Sequence, residues 1–303
     1  MTKLTDFQQK MRTLFPEIEL RMDETMAKHT SFRIGGPAEV MAFPKSVQEL
    51  SAVLKAAALL GVQPRILGAG TNILAPDEGI TGLVICLKDA LDGMQLLDDT
   101  SIRVMAGVTM TRSAVYAANL GLSGLEFSHG IPGTVGGGVY MNAGAYGGEI
   151  CQVCTQVAVM DFEGNLRVIP GNEMRFSYRH SRLEEESGIV VWADFSLMKA
   201  PEAEIKRKMQ ELMGKRKASQ PLEYPSAGSA FKRPAGGYAA ALIDQTGLKG
   251  YAVGRAAVSE KHAGFAVNLG GASAADVRQL LKEVSDKVFD NTGIRLEPEV
   301  RIW

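Results

Sequence analysis

The sequence predicts a mixed fold of the α+β class. Segments with helical spacing and segments with strand spacing both recur along the 303 residues. Several strand-like runs are joined by short hairpin signals, too many for a plain doubly wound sheet. Composition also changes near residue 205, where a highly charged helix and a Pro/Ser/Gly loop follow a longer first part.

In chain order, residues 5–15 have the spacing of a short amphipathic helix. Ser46-Val-Gln-Glu49 reads as a capping box opening an Ala- and Leu-rich helix that stops at Gly61. Arg65-Ile-Leu67 reads as a strand running into Gly68-Ala-Gly-Thr-Asn72, with further strands at Leu83–Leu87 and Ile102–Ala106. A helix from Thr111 to Asn119, closed by Gly121, precedes a long glycine-rich stretch. Val153–Asp161 and Leu166–Ile169 should pair across Glu163-Gly-Asn165, and Gly188–Leu197 should form another strand. Pro201–Ala218 reads as the charged helix and Ser219–Ser229 as the loop. A helix (Tyr238–Thr246), a strand (Ala263–Asn268), a helix (Ser273–Phe289, with a capping signal at Ser273-Ala-Ala-Asp276) and a strand (Arg295–Ile302) complete the order. No internal repeat or low-complexity tract interrupts it.

Composition bounds the function. The chain is 46% hydrophobic and 22% charged, with a formal net charge of -1. No global field therefore favours nucleic acid or an anionic membrane. Lys206-Arg207-Lys208 is read as a solvated helix face. The first residues, MTKLTDFQQKMRTLF, lack the apolar core of a secretory signal, and no apolar run is long enough to span a membrane. The three cysteines make no disulfide framework. Cys151 and Cys154 form a C-x-x-C pair without a second pair, and the surrounding Ile150–Val159 reads as a buried or half-buried strand, so no metal site is expected. These points favour a reducing, cytoplasmic setting, with a monomer as the default.

Three glycine motifs carry chemistry: Gly35-Gly36, Gly68-Ala-Gly70 and the stretch from Gly130 to Gly148. Glycine lets backbone N–H groups approach a ligand closely, which suits phosphate binding. No Walker lysine motif is present, and no G-x-G-x-x-G joins a strand to a helix. A tight turn explains Gly35-Gly36 equally well. It explains the long stretch poorly, because that stretch buries little apolar area unless a large ligand lies along it.

Together with Thr30-Ser-Phe-Arg-Ile-Gly-Gly-Pro-Ala38, the Gly68–Leu74 and Gly130–Gly147 segments resemble the UDP-N-acetylenolpyruvoylglucosamine reductase family. The resemblance runs from about Thr30 to Trp303. It implies an FAD-binding domain of the vanillyl-alcohol-oxidase (PCMH) type in two α/β subdomains, plus a smaller α+β substrate domain. The expected limits are a lead-in helix over 1–29, the FAD domain over 30–204, the substrate domain over 205–294 and a strand returning to the active site over 295–303. FAD would be held without a covalent bond, since no histidine or cysteine stands where a tether is expected. His129 is read as lining the pocket. The resemblance assigns cofactor contacts to Arg33, Gly35, Gly36, Gly68, Ala69, Gly70, Thr71 and Asn72. It adds Ile131, Pro132, Gly133, Thr134, Gly136, Gly137, Asn142, Ala143 and Gly144.

The same resemblance makes Arg179, within Phe176–Arg182, the arginine that binds the substrate carboxylate, with His180 only a neighbour. Ser229, within Ala227–Pro234, becomes the proton donor, and Glu299 the third catalytic residue. Lys217, Lys232, Arg233, Lys261 and His262 are the candidates for a UDP-sugar. Those relatives with asparagine at the Arg233 position use it for the nucleotide, and Arg233 could contact the diphosphate equally well; relatives often have a second glycine at Arg255, where this chain also departs. The stretch between Tyr178 and Gly188 lacks the insertion that bears a tyrosine loop in one branch, so this chain resembles the other branch. The implied reaction uses NADPH: hydride passes by way of flavin N5 to C3 of the enol ether, and Ser229 protonates C2, giving UDP-N-acetylmuramate for the cell wall. An oxidase of small alcohols on the same flavin fold, and a non-enzymatic nucleotide-sugar binder, remain the alternatives.

Overall fold

A computed structural model describes residues 5–235 and 237–303. The lead-in at residues 1–4 lies outside them. The chain divides into two units, each discontinuous in sequence. The first comprises the described part of Met1–Met22 with Glu39–Ala69 and Gly82–Lys215. The second comprises Asp23–Ala38, Gly70–Thr81 and Arg216–Trp303.

In the first unit, five antiparallel strands lie in the order Leu166–Pro170, Cys154–Met160, Ile189–Ser196, Ser101–Met105, Met94–Leu96. Successive side chains of a strand point to opposite faces. Val157 and Val159 accordingly join one core with Ile102, Val104 and Phe195, while Ala158 and Met160 join another with Leu50, Val53, Leu83 and Ile85. Both faces are covered, which explains the uninterrupted apolar run Ile189-Val-Val191. The expected hairpin forms: Met160 pairs with Leu166, and the Asp161 carboxylate accepts the N–H groups of Glu163 (3.0 Å) and Asn165 (2.8 Å).

A second sheet has the order Glu19–Thr25, Pro37–Phe43, Ile80–Cys86, Arg65–Leu67. The first two of these strands were not anticipated. The helix Val47–Leu59 packs into this unit's second core through Leu50, Val53 and Leu54. Its capping box is half realised. Ser46 Oγ accepts Glu49 N–H at 3.1 Å, but the Glu49 carboxylate takes the Lys45 N–H at 2.7 Å instead of returning to Ser46. The single strand expected over Ile150–Val159 is interrupted. Ile150–Gln152 forms one 3-10 turn, which leaves Cys151 exposed, and the strand begins at the buried Cys154.

In the second unit, antiparallel strands lie in the order Ser226–Ser229, Phe265–Asn268, Ala256–Val258, Ala252–Val253. The helix Ala274–Thr292 buries Val277, Leu280, Leu281, Val284 and Val288, the i, i+3, i+4, i+7 stripe of an amphipathic helix. These side chains share a core with Phe32, Ile34 and Leu74. Ser273 and Asp276 form the reciprocal capping box, and Asp77 also accepts the N–H groups of Ala274 (2.8 Å) and Ala275 (3.2 Å). The helix runs past Phe289 and ends at Gly293, whose φ of +73° makes a left-handed cap. Arg255 donates its guanidinium to the carbonyls of Leu269 and Gly270, each at 3.0 Å.

The strand expected over Arg295–Ile302 is confined to Arg301–Ile302, which pairs in parallel with Ile73–Leu74. Upstream, Pro298 lacks an N–H and makes only an isolated bridge with Phe231. Among the described residues, no helix is long and apolar enough to cross a membrane.

Candidate functional site

In the first unit, the glycine-rich stretch contains a helix, Val135–Tyr140. Three of its six residues are glycines, poor helix formers, so the helix depends on its tethers. Val135 N–H donates to Val108 O at 2.8 Å and Gly136 N–H to Ala106 O at 2.9 Å. Thr134 caps it, its hydroxyl accepting Gly137 N–H at 3.4 Å. Gly68 lies against that hydroxyl: a Cβ there would stand 2.6 Å from Thr134 Oγ1. The N–H groups of Gly68, Ala69, Gly133 and Thr134 have no acceptor among the described residues. Two sets of free backbone donors are thus packed together, the donor set a diphosphate requires. His129, next to this loop, has a buried Nδ1 without a partner among the described residues, and burial lowers its pKa, favouring a neutral ring. The residues present therefore fit the FAD pyrophosphate.

Asn142 sits differently from the rest of the cofactor set. It is 1% exposed, with φ +42°. Its Nδ2 donates to Glu149 Oε2 (2.9 Å) and to the Ser177 carbonyl (3.0 Å), and its Oδ1 accepts Cys151 N–H (3.0 Å). Both donors of the amide are therefore engaged inside the protein.

The Ser177 carbonyl opens the turn that carries Arg179. Ser177 and His180 exchange two backbone hydrogen bonds of 3.2 Å, and Arg179 takes φ +55°. Such a conformation is strained for a residue with a Cβ and persists only where neighbours impose it. Arg179 Nη2 donates to Gly144 O at 3.2 Å, and its guanidinium lies 5.0 Å from the Tyr178 ring. Ser181, fully buried, ties the other end of the turn to Tyr140 O at 2.8 Å. His180 faces Glu184 and Glu185.

In the second unit, Thr30 Oγ1 donates to Ile34 O at 2.9 Å, closing the loop that carries Arg33 at φ +55°. The Arg33 guanidinium is exposed and makes no hydrogen bond or ion pair among the described residues, as an anion-binding arginine would. Gly70 is held by Ser31, whose N–H donates to Gly70 O at 3.1 Å. Gly35 and Gly36 pack against Ala75 and Asp77, and Gly36 N–H donates to Pro76 O at 2.9 Å. They have a packing reason independent of any ligand.

The same unit brings Asn72, Ser229 and Glu299 into one backbone ladder. Glu299 N–H donates to Ala230 O at 2.9 Å, beside Ser229. Asn72 Nδ2 donates to Glu299 O at 3.1 Å, and Arg301 N–H returns to Asn72 O at 3.0 Å. Ser229 is exposed and opposite Phe265.

The substrate candidates divide. Lys232 is ion-paired to Glu297. Lys261 Nζ donates to Lys217 O at 2.7 Å, which ties those two residues together. The Arg233 guanidinium lies 4.6 Å from the ring of Tyr238, an exposed aromatic that sequence reasoning did not single out. His262 Nδ1 accepts Gly264 N–H at 3.1 Å, so the neutral ring carries its proton on Nε2. Burial, and then the nearby Lys249, lower its pKa. Asp77 and Ser181 were also missed, because their partners are distant in sequence, and Glu149 was missed although Asn142 is only seven residues away.

Residues 220–303 match the family model described as UDP-N-acetylenolpyruvoylglucosamine reductase, C-terminal domain, and residues 38–169 match the FAD binding domain. A UDP-N-acetylenolpyruvoylglucosamine reductase of Agathobacter rectalis is 46% identical, covering 95% of both chains. One from Caldanaerobacter subterraneus is 44% identical over 97% of this chain and 96% of its own. The crystal structure of the Thermus caldophilus enzyme of that name superposes with a TM-score of 0.79 at 37% identity, covering 95% of this chain and 99% of its own. The fold class is thus the α+β, vanillyl-alcohol-oxidase-type arrangement with an FAD-binding domain.

Proposed function

The chain belongs to the UDP-N-acetylenolpyruvoylglucosamine reductase family, and from that premise we propose that it uses NADPH and FAD to reduce the enolpyruvyl ether of UDP-N-acetylglucosamine to UDP-N-acetylmuramate. The observation that carries the cofactor half of this reading is the pair of free N–H sets at Gly68-Ala69 and Gly133-Thr134. When bound, FAD supplies the two-electron chemistry that links NADPH to C3 of the substrate.

The chain's own residues supply the rest. Gly68, Ala69, Gly133 and Thr134 would hold the pyrophosphate through backbone donors, and Arg33 is read as a further cofactor contact. Arg179 binds the substrate carboxylate and stabilises the charge that develops there. Glu299 is the third catalytic residue and, when protonated, donates to the developing enolate. Ser229 gives its hydroxyl proton to C2, and its exposure suits contact with a ligand. Lys217, Lys232, Arg233, Lys261 and His262, all in the second unit, are the residues that would contact the UDP-sugar. The reading places the reaction in the cytoplasm, on a small nucleotide-sugar, with a monomeric enzyme.

The test separates the two halves of the reaction. The purified protein should be yellow and should oxidise NADPH in the presence of the enolpyruvyl sugar, with little oxygen uptake. Ser229→Ala should still allow NADPH to reduce the flavin but should lose turnover of the sugar. Normal turnover by that variant would sink the proton-donor assignment. Steady oxygen consumption with small alcohols would favour an oxidase instead.

A further inference from the structure

We infer that Asn142 is a positioning residue: its side-chain amide, tied to the Ser177 carbonyl, holds the turn that presents Arg179, and it acts on the reaction through that arginine instead of through the cofactor. This rests on the reading that Arg179 binds the substrate carboxylate.

Three observations converge. First, the Asn142 side chain is sealed at 1% exposure with both amide donors engaged, leaving nothing to give a cofactor. Second, one of those donors ends on the residue that opens the Arg179 turn, while Arg179 itself reaches back to Gly144, two residues beyond Asn142. The turn and the glycine-rich segment are thus clasped by reciprocal bonds from side chain to backbone. Third, the turn needs such a clasp. Arg179 at φ +55° adopts a conformation that residues with a Cβ avoid, so an unclasped turn relaxes and carries the guanidinium with it. Asn142 has φ +42°, one of the few non-glycine residues suited to the left-handed region. Its backbone conformation and its side-chain bonds therefore call for the same residue.

Glu149 and Cys151 complete the arrangement. Glu149 Oε2 fixes the amide's rotation by accepting one Nδ2 proton, and Cys151 N–H fixes the oxygen end. Aspartate at position 142 would keep the acceptor for Cys151. It would lose both donated bonds and face the Glu149 carboxylate and the Ser177 carbonyl with a negative charge.

The experiment uses full-length protein carrying Asn142→Ala, Asn142→Asp, Arg179→Ala or both sites changed. Bound flavin and the rate of flavin reduction by NADPH should stay at the wild-type level in the Asn142 variants. kcat for the enolpyruvyl sugar should fall about 10- to 100-fold, the scale of a misplaced catalytic group. The double variant Asn142→Ala with Arg179→Ala should lie within about threefold of Arg179→Ala alone, because effects through one residue do not add. Deuterium uptake at residues 176–182 should rise in every Asn142 variant. Loss of flavin, multiplicative effects in the double variant, or unchanged uptake would each overturn the inference. Should the alanine variant fail to accumulate, Asn142→Ser carries the same cycle and uptake measurement. If the wild-type protein does not act on the sugar, the proposed function falls. Deuterium uptake then still decides whether Asn142 holds the turn.

Discussion

Asn72 donates its side-chain amide to the carbonyl of Glu299 at 3.1 Å, across 227 residues of sequence. Arg301 N–H returns to the Asn72 carbonyl, so the Gly70–Asn72 turn and the backbone of Glu299 set each other's place. Asn72→Ala should remove one such bond at about 0.5–1.5 kcal/mol. It should also lower turnover of the sugar more than it lowers flavin content. A urea melt and a flavin-to-protein absorbance ratio check the two parts. A variant that loses flavin but keeps the kcat of its loaded fraction would contradict the expectation.

Asp77 caps the helix Ala274–Thr292 from outside that helix, accepting two of its orphan N–H groups. Asp77→Ala should therefore destabilise the second unit by about 1–2 kcal/mol, even though Ser273 remains. Ser273→Ala should cost about 1 kcal/mol by the same reasoning. Denaturant midpoints of the two variants measure this. An unchanged midpoint for Asp77→Ala would mean that the capping box alone suffices.

His262 sets a direction for pH. Burial and Lys249 lower its folded-state pKa below the ordinary value of about 6.5. The unfolded chain then binds more protons than the folded chain as pH falls through about 6.5, so stability declines on the acid side. The contribution is fully present above about pH 6.5 and is lost as pH falls toward the lowered folded value. His262→Asn should flatten this part of the stability profile between pH 8 and pH 5. A wild-type protein that gains stability relative to the variant on acidification would reverse the assignment.

The three thiols should behave unequally. Burial pushes Cys154 up to about 12 and Cys86 up to about 11, so neither forms thiolate near neutrality. Cys151 is exposed, and its partial burial raises its pKa. Alkylation of the native protein at pH 8 should label Cys151 alone and slowly, and unfolding should release the other two. Mass spectrometry of native and denatured samples decides. Rapid protection of both Cys151 and Cys154 by mild oxidation would point to a disulfide.

Most long elements were legible because their spacing matched their burial. The strand Cys154–Met160 alternates between two cores, and the helix Ala274–Thr292 shows a regular apolar stripe. The failures have physical causes. Glu19–Thr25 alternates weakly, since its inward side chains are only half-buried. Ser226–Ser229 is a strand without a β-branched or aromatic residue, held by its pairing with Phe265–Asn268. The helix Val135–Tyr140 contradicts its glycine content and exists through Thr134 and two tethers. Within the site, free N–H groups at Gly68 and Gly133 agree with a cradle that glycine spacing suggested. The roles of Arg179, Ser229 and Glu299 came from resemblance alone. The engagement of Asn142 was invisible because its partners are at 149, 151 and 177.

The pairing of Arg301–Ile302 with Ile73–Leu74 also has a consequence for synthesis. A ribosome adds roughly 5–20 residues per second, so a gap of 227 residues between Asn72 and Glu299 is a wait of about 10–45 s. For most of it, until Ala274–Thr292 has been made, Phe32, Ile34 and Leu74 lack the helix that shares their core. The first unit has all its strands by Lys199, well before that moment. The nascent chain thus carries three apolar side chains from its early segments as an unfinished seam, and chaperones that bind exposed apolar stretches would meet them there first.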